Sequence, residues 1–176
     1  MKIRSSTIVG ALAIFAATGL CVHADTNASQ GFRVIVPTTI SITAPPTTAV
    51  ITHDRSDNNQ PFPAQNWVVR GNVPNGVNVT FSTGSAFVNT LDITAKRNVQ
   101  LGLGVSSTQG PGSWTVSPST DTTNYLANDE IAQVAASSNG SGSANFNVSV
   151  TFVTEDFDLF SAGNYEVTVF GTVAAN

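Results

Sequence analysis

The chain has 176 residues, of which 41% are hydrophobic and 10% are charged, with 7 basic and 11 acidic side chains. Its polarity comes from uncharged residues, 22 Thr, 18 Ser and 16 Asn, and Val is the main apolar residue with 21 copies. Val and Thr fit a pleated sheet, whereas the residues of exposed helices are scarce. The composition therefore excludes a helix bundle, a coiled coil and a doubly wound α/β fold. The length suits one domain.

The first 24 residues predict a signal peptide that is removed on export. Lys2 and Arg4 form a short basic region, residues 8–20 are mostly apolar, and Val22-His23-Ala24 has small residues at its first and third positions, as signal peptidase prefers. The apolar stretch is shorter than the roughly 20 residues that a membrane-spanning helix needs. A first buried helix of the domain is the alternative interpretation of this segment.

Export predicts a mature domain over residues 25–176 that keeps 5 basic and 11 acidic residues and loses Cys21, the only cysteine. Such a domain folds without disulfides. A lipid anchor on Cys21 is a further alternative, although Leu20 stands where a lipoprotein signal has a small residue. No run of Lys and Arg remains to attract phosphates, which excludes nucleic acid as a partner, and no membrane-spanning segment is predicted. We expect a bacterial protein that is secreted or lies on the cell surface.

The mature chain opens with an alternating segment over residues 32–42. Its even-numbered positions carry five apolar side chains, those of Phe32, Val34, Val36, Ile40 and Ile42. Pro37 lies in the opposite register, where its missing N–H limits pairing and suits an edge or a bend. One interpretation is a first strand of the chain's own sandwich that kinks at Pro37. The other is a strand that pairs with a neighbouring subunit, so these five residues form the candidate subunit-contact strand.

Alternation of apolar and polar residues continues through the rest of the chain. It predicts strands at 67–70, 77–81, 99–105, 114–116, 131–135, 144–152 and 165–173. Turn residues separate them at 74–76, 110–112 and 137–143, and the segment 121–133 has room for one short helical turn. Many short strands with such turns predict an all-β fold, a single immunoglobulin-like antiparallel β-sandwich over residues 25–176.

Few residues offer catalytic chemistry. His53, the only histidine after the predicted signal peptide, lies beside Asp54 and Arg55 in a polar loop, where adjacent side chains rarely cooperate as a triad requires. We therefore expect a solvated loop histidine. Carboxylates such as Glu155 and Asp158 leave a small secreted hydrolase as one alternative function. We expect no enzyme activity and no catalytic residue.

Binding of a metal or a sugar is the remaining possibility. The acids of loop 54–59 suit calcium, but the loop departs from the twelve-residue calcium pattern at Asn59 and Gln65, so we expect a solvated loop, no metal and no cofactor. Trp67 and Trp114 have flat faces that suit a pyranose ring, which makes a carbohydrate-binding, adhesin-like module another alternative function. Each also heads a Val-containing strand, which favours a place in the core.

The two ends of the mature chain resemble a known class of proteins. Residues 161–173, Ser-Ala-Gly-Asn-Tyr-Glu-Val-Thr-Val-Phe-Gly-Thr-Val, resemble the final strand of cysteine-free bacterial pilin-like and spore-coat-like surface proteins, and residues 32–37, Phe-Arg-Val-Ile-Val-Pro, are similar to their opening. Among them, the usher-assembled pilins imply an immunoglobulin-like sandwich that is completed by a neighbour's strand. The resemblance leaves open whether any edge of this sandwich is unpaired.

These observations together predict a non-catalytic structural protein of the cell surface or extracellular matrix, a subunit of a pilus or fibre. Its expected partners are other protein subunits, copies of this chain among them. Glycans are the expected ligand of the carbohydrate-binding alternative.

Overall fold

A computed structural model describes residues 27–176, so the predicted signal peptide, residues 1–24, lies outside the described residues. Residues 27–35 carry no regular secondary structure, and Val36–Asn176 form a compact unit. Within residues 27–176 the helical elements are two 3-10 turns, Tyr125–Ala127 and Phe157–Leu159, and the rest of the regular structure is antiparallel strand. The predicted all-β class is confirmed.

Thirteen strands follow one another in the described part of the chain. In order they are β1 (Ile40–Thr43), β2 (Gln60–Pro61), β3 (Gln65–Gly71), β4 (Val77–Thr83), β5 (Phe87–Asn89), β6 (Lys96–Arg97), β7 (Val99–Gln109), β8 (Trp114–Val116), β9 (Thr120–Thr122), β10 (Gln133–Ser138), β11 (Gly142–Phe152), β12 (Tyr165–Glu166) and β13 (Val169–Ala175).

The strands form three antiparallel sheets. The first sheet has the order β1-β3-β11-β7-β9, with β2 paired to the end of β11; the second has the order β13-β4-β10-β8; the small third sheet has the order β12-β5-β6. The long strand β11 is central in the first sheet, where it pairs with β3 on one side and β7 on the other. Its register with β7 shifts between Asn145 and Phe146, which is a β-bulge.

The first and second sheets share one apolar core, as in a β-sandwich. Its side chains come from the alternating inward positions of both sheets, among them Val69, Leu101, Phe146, Val148, Val77, Val79, Phe81 and Val134. Phe81 of the second sheet meets Phe146 of the first edge-on, with ring centroids 5.9 Å apart, a geometry that aromatic rings favour. The third sheet covers a second cluster of buried residues, Phe87, Val99 and Phe152.

One side of this arrangement is closed by the chain itself. Strand β8 belongs to the second sheet and β9 to the first, so residues 117–119 cross from one sheet to the other. The Ser117 N–H donates to the Ala135 carbonyl at 2.9 Å, and the Leu103 N–H donates to the Ser119 carbonyl at 2.8 Å. The crossing segment therefore bonds to both sheets.

The observed strands match most of the predicted positions. Strands lie over 67–70, 77–81, 99–105, 114–116 and 144–152, and the 3-10 turn Tyr125–Ala127 lies within the segment predicted to hold one helical turn. The strand predicted at 131–135 begins later, at Gln133. The strand predicted at 165–173 is divided, because its first part pairs with β5 and its second with β4.

The entry segment needs a larger correction. The alternation predicts one strand over residues 32–42, but β1 begins only at Ile40 and ends at Thr43. Ile40 and Ile42 pack against the main core, whereas Phe32, Val34 and Val36 are exposed and belong to no strand. The reason is physical: β1 pairs with β3 over four residues, and within residues 27–176 no strand extends further to pair with residues 32–36.

Candidate functional site

Residues 32–36 expose an unusual amount of apolar surface. The side chains of Phe32 and Val34 are each 87% exposed, and those of Ile35 and Val36 are 76% and 75% exposed. A solvated segment of a protein is normally polar, and contiguous exposed apolar residues commonly mark an interaction site. In an extended segment Phe32, Val34 and Val36 lie on one face and Ile35 on the other. We call residues 32–36 the apolar arm.

The point where the chain leaves the apolar arm is fixed by hydrogen bonds. The Asn72 side chain donates to the Pro37 carbonyl at 2.8 Å and accepts from the Thr39 N–H at 2.6 Å. The Asn72 N–H also donates to the Thr39 carbonyl at 3.2 Å. Residues 37–39 are therefore held by one asparagine just before β1 begins.

Strand β13 leaves one edge of the second sheet unpaired. It pairs with β4 from Val169↔Thr83 to Ala175↔Val77, and no strand among the described residues pairs with its other edge. At the start of this ladder the Thr168 carbonyl accepts from the Gly84 N–H. The N–H and C=O groups of the even-numbered residues of β13 therefore point toward β4. In an antiparallel ladder alternate residues face opposite sides, so the N–H and C=O groups that point to the free edge are those of Val169, Gly171, Val173 and Ala175.

The core is incompletely covered along this free edge. Of the half-buried apolar residues that pack against the main core, five lie on β1, β3 and β13: Ile40, Ile42, Trp67, Val169 and Val173. Strand β1 approaches β13 at Gly171, where an added Cβ would lie 2.7 Å from Ile42 Cδ1 and 2.8 Å from Trp67 Cζ3. The two edge strands belong to different sheets and do not bond to each other. We call this side, bounded by β1 and β13, the open edge.

His53 lies among three phenylalanine rings instead of in solvent. Its ring stacks on Phe157 with centroids 5.1 Å apart, and it meets Phe152 and Phe160 nearly edge-on at 5.7 and 5.4 Å. The expected solvated histidine is thus half-buried. The three rings come from residues about 100 positions further along the chain, so local sequence carried no signal of them.

The hydrogen bonds of His53 are structural. Its Nδ1 accepts from the Arg55 N–H at 3.0 Å, so Nε2 carries the proton and donates to Thr154 Oγ1 at 3.1 Å. The Thr154 hydroxyl in turn donates to the Asn58 carbonyl at 2.7 Å. The Thr154 hydroxyl therefore links the segment after β11 to the loop that contains His53 and Asn58.

Three carboxylates of the same region, those of Asp54, Glu155 and Asp156, accept hydrogen bonds from nearby groups, and Asp158 is exposed. Asp54 Oδ1 accepts from both the N–H and the hydroxyl of Ser56, and these bonds hold the pKa of Asp54 below its ordinary value. Asp156 accepts from the Asp158 N–H at 3.0 Å, and Glu155 accepts from the Asn98 side chain at 3.2 Å. Within residues 27–176, no three His, Cys, Asp or Glu side chains are placed to hold a metal ion together.

Trp67 and Trp114, the proposed sugar-stacking residues, are half-buried and pack against the core. Trp67 meets Phe81 edge-on and Trp114 meets Phe146 edge-on, both with ring centroids 5.3 Å apart. Both rings therefore pack against the main core, the place that their Val-containing strands favour. The described residues also include no helix long and apolar enough to cross a membrane.

Comparison with known proteins gives no match: no family model, no curated protein and no solved structure matches the chain.

Proposed function

We propose that this protein is an exported, non-catalytic structural subunit that assembles with copies of itself by strand addition. In this proposal the fold is an immunoglobulin-like sandwich, the signal peptide directs export to the cell surface, and the apolar arm of one copy pairs with the open edge of the next. The observation that carries the proposal is that one chain has both an exposed apolar arm and an unpaired strand edge with half-covered core residues.

The two elements are complementary in chemistry and length. The apolar arm has five residues, and the free edge of β13 has seven. Strand addition would give the free backbone groups of Val169, Gly171 and Val173 hydrogen-bonding partners. Phe32, Val34 and Val36 recur at every second position, as the side chains on one face of an added strand must.

The energetics support the same pairing. Each apolar side chain that passes from water into a core contributes about 1.5–3 kcal/mol, and association costs on the order of 4–15 kcal/mol. Burial of Phe32, Val34 and Val36 therefore contributes about as much as the lower estimates of the association cost. Hydrogen bonds between the backbones of the arm and β13 contribute the remainder. The candidate contact residues of the proposal are Phe32, Val34 and Val36 on the arm, with Ile40 and Ile42 on the receiving side.

Residues Val34 and Ile35 provide a matched pair of variants. Both side chains are exposed, so arginine at either position leaves the fold of the single subunit intact. Val34→Arg puts a charge on the face that would pack against the half-buried residues of the open edge, whereas Ile35→Arg puts it on the opposite face. In sedimentation velocity of the mature protein across a concentration series, the wild type and Ile35→Arg should form larger species and Val34→Arg should stay monomeric. A wild type that is strictly monomeric, or equal effects of the two variants, would refute the proposal.

A further inference from the structure

A separate groove lies on the outer surface where the second sheet meets the third. It has a volume of about 380 Å³, and its walls include Ser85, Thr90, Ile93, Glu166, Thr168 and Phe170. Phe170 lies on β13 but points away from the core, on the face opposite Val169 and Gly171. The groove is therefore distinct from the open edge, although one strand contributes to both.

The residues that line the groove are held in place by the fold. Gly84 has no side chain, and a Cβ there would lie 2.9 Å from Phe170 Cε2, so the glycine leaves room for the Phe170 ring. The Gly84 N–H donates to the Thr168 carbonyl at 3.1 Å, which continues the pairing of β4 with β13 by one residue. The buried Asn89 accepts from the Leu91 N–H at 2.9 Å and so anchors the loop that carries Ile93.

The chemistry of the walls selects the ligand. Phe170 is 55% exposed and Ile93 is 75% exposed, so the ligand needs an apolar face. Ser85, Thr90 and Thr168 supply hydroxyls, and Glu166 supplies a carboxylate that accepts hydrogen bonds. No Lys, Arg or His is among the described residues that line the groove, which disfavours an anionic ligand.

We propose that this groove binds a neutral pyranose, one sugar ring of a surface glycan. A pyranose has a C–H face that packs on an aromatic ring and a rim of hydroxyls that donate to a carboxylate. The volume lies in the range of small-molecule sites, about 300–1,000 Å³. The site differs from the carbohydrate alternative through Trp67 and Trp114, and it does not depend on assembly through the apolar arm.

Saturation-transfer NMR with the mature protein tests the proposal. The probes are the methyl glycosides of glucose, galactose and mannose, N-acetylglucosamine, and the anionic sugar N-acetylneuraminic acid. At least one neutral probe should bind with a dissociation constant on the order of 1 mM. Phe170→Ala should weaken that binding by at least about tenfold, and Phe170→Trp should retain it because the flat ring remains. Leu126→Ala, an exposed apolar residue outside the groove walls, is the matched control and should leave binding unchanged.

Each outcome of this experiment either supports the proposed sugar site or overturns it. Signals from a neutral sugar that are lost in Phe170→Ala and kept in Leu126→Ala support the site. Absence of signal from every neutral probe, binding of only the anionic sugar, or equal binding by wild type and Phe170→Ala overturns it. Repeating the measurement on Val34→Arg should give the same dissociation constant, so failure of assembly and failure of sugar binding are distinguishable.

Discussion

Gly171 is the position at which the open edge can be tested most simply by mutation. In Gly171→Ala the new Cβ lies 2.7 Å from Ile42 Cδ1 and 2.8 Å from Trp67 Cζ3. Favourable carbon contacts lie at about 3.5–4.0 Å, so both neighbours must move. The end of Ile42 can rotate away, but the Trp67 ring is packed against Phe81 with centroids 5.3 Å apart. Overpacking of this kind costs about 1–3 kcal/mol, and we expect a value in the lower half of that range.

Gly104 is the matched control for this substitution. It also lies within a strand, β7, but a Cβ there meets no atom within 4 Å. Gly104→Ala should therefore raise the free energy of unfolding by about 0.4–1 kcal/mol, because it restricts the unfolded chain without straining the folded one. Urea unfolding followed by tryptophan fluorescence measures both variants. Equal stability of Gly171→Ala and Gly104→Ala would refute the close approach of β1 to β13.

Three other substitutions test separate parts of the structure. Phe146→Ala should lower the free energy of unfolding by about 3–5 kcal/mol, because the ring is fully buried between two other aromatic rings; a loss below about 1 kcal/mol in urea would contradict its central place. Asn72→Ala should speed hydrogen exchange at the Thr39 amide, which donates to the Asn72 side chain, and unchanged protection would argue against that anchor. Hydrogen bonds from Ser56 hold the pKa of Asp54 below its ordinary value of 3.8, so the stability it contributes is present above that value and is lost as the pH falls through the lowered one. Asp54→Ala should therefore reduce the fall of the urea midpoint between about pH 5 and pH 2, and an identical fall would show that Asp54 contributes nothing.

The long strands could be predicted from the sequence because each carries its own alternating pattern. Strand β11 is the best example, since Ala144, Phe146 and Val148 are buried and the polar residue Asn147 between them is exposed. The short strands β2, β5, β6 and β9 have two or three residues each. Alternation is a weak signal over so few positions, so these four strands are not predicted, whereas the equally short β8 (Trp114–Val116) is.

The boundaries of the first and last strands illustrate a second limit. Alternation shows that a segment can pair, but it does not show where a partner ends. Residues 32–42 carry an apolar side chain at every even-numbered position except Thr38, yet β3 pairs only with residues Ile40 to Thr43. Residues 165–173 also alternate, yet the partner changes from β5 to β4 at Val167 and Thr168.

The candidate sites were predictable to different degrees. Alternation near Pro37 indicates Phe32, Val34 and Val36 as candidate contact residues, but it places them in a strand and does not predict their exposure. The surroundings of His53 and the groove at Phe170 could not, since both depend on side chains from distant segments. Gly84 is the one local signal for the groove, and a glycine in a Ser- and Thr-rich stretch is too common to indicate a site.

Amide hydrogen exchange along β13 tests the central claim of strand addition most directly. The N–H groups of Phe170 and Thr172 face β4 and should be protected in every state of the protein. The N–H groups of Gly171 and Val173 face the free edge, so they should exchange rapidly in Val34→Arg and become protected in the wild type and in Ile35→Arg as the concentration rises. Rapid exchange at Gly171 and Val173 in an assembled wild type would contradict the account, because assembly would then use another surface.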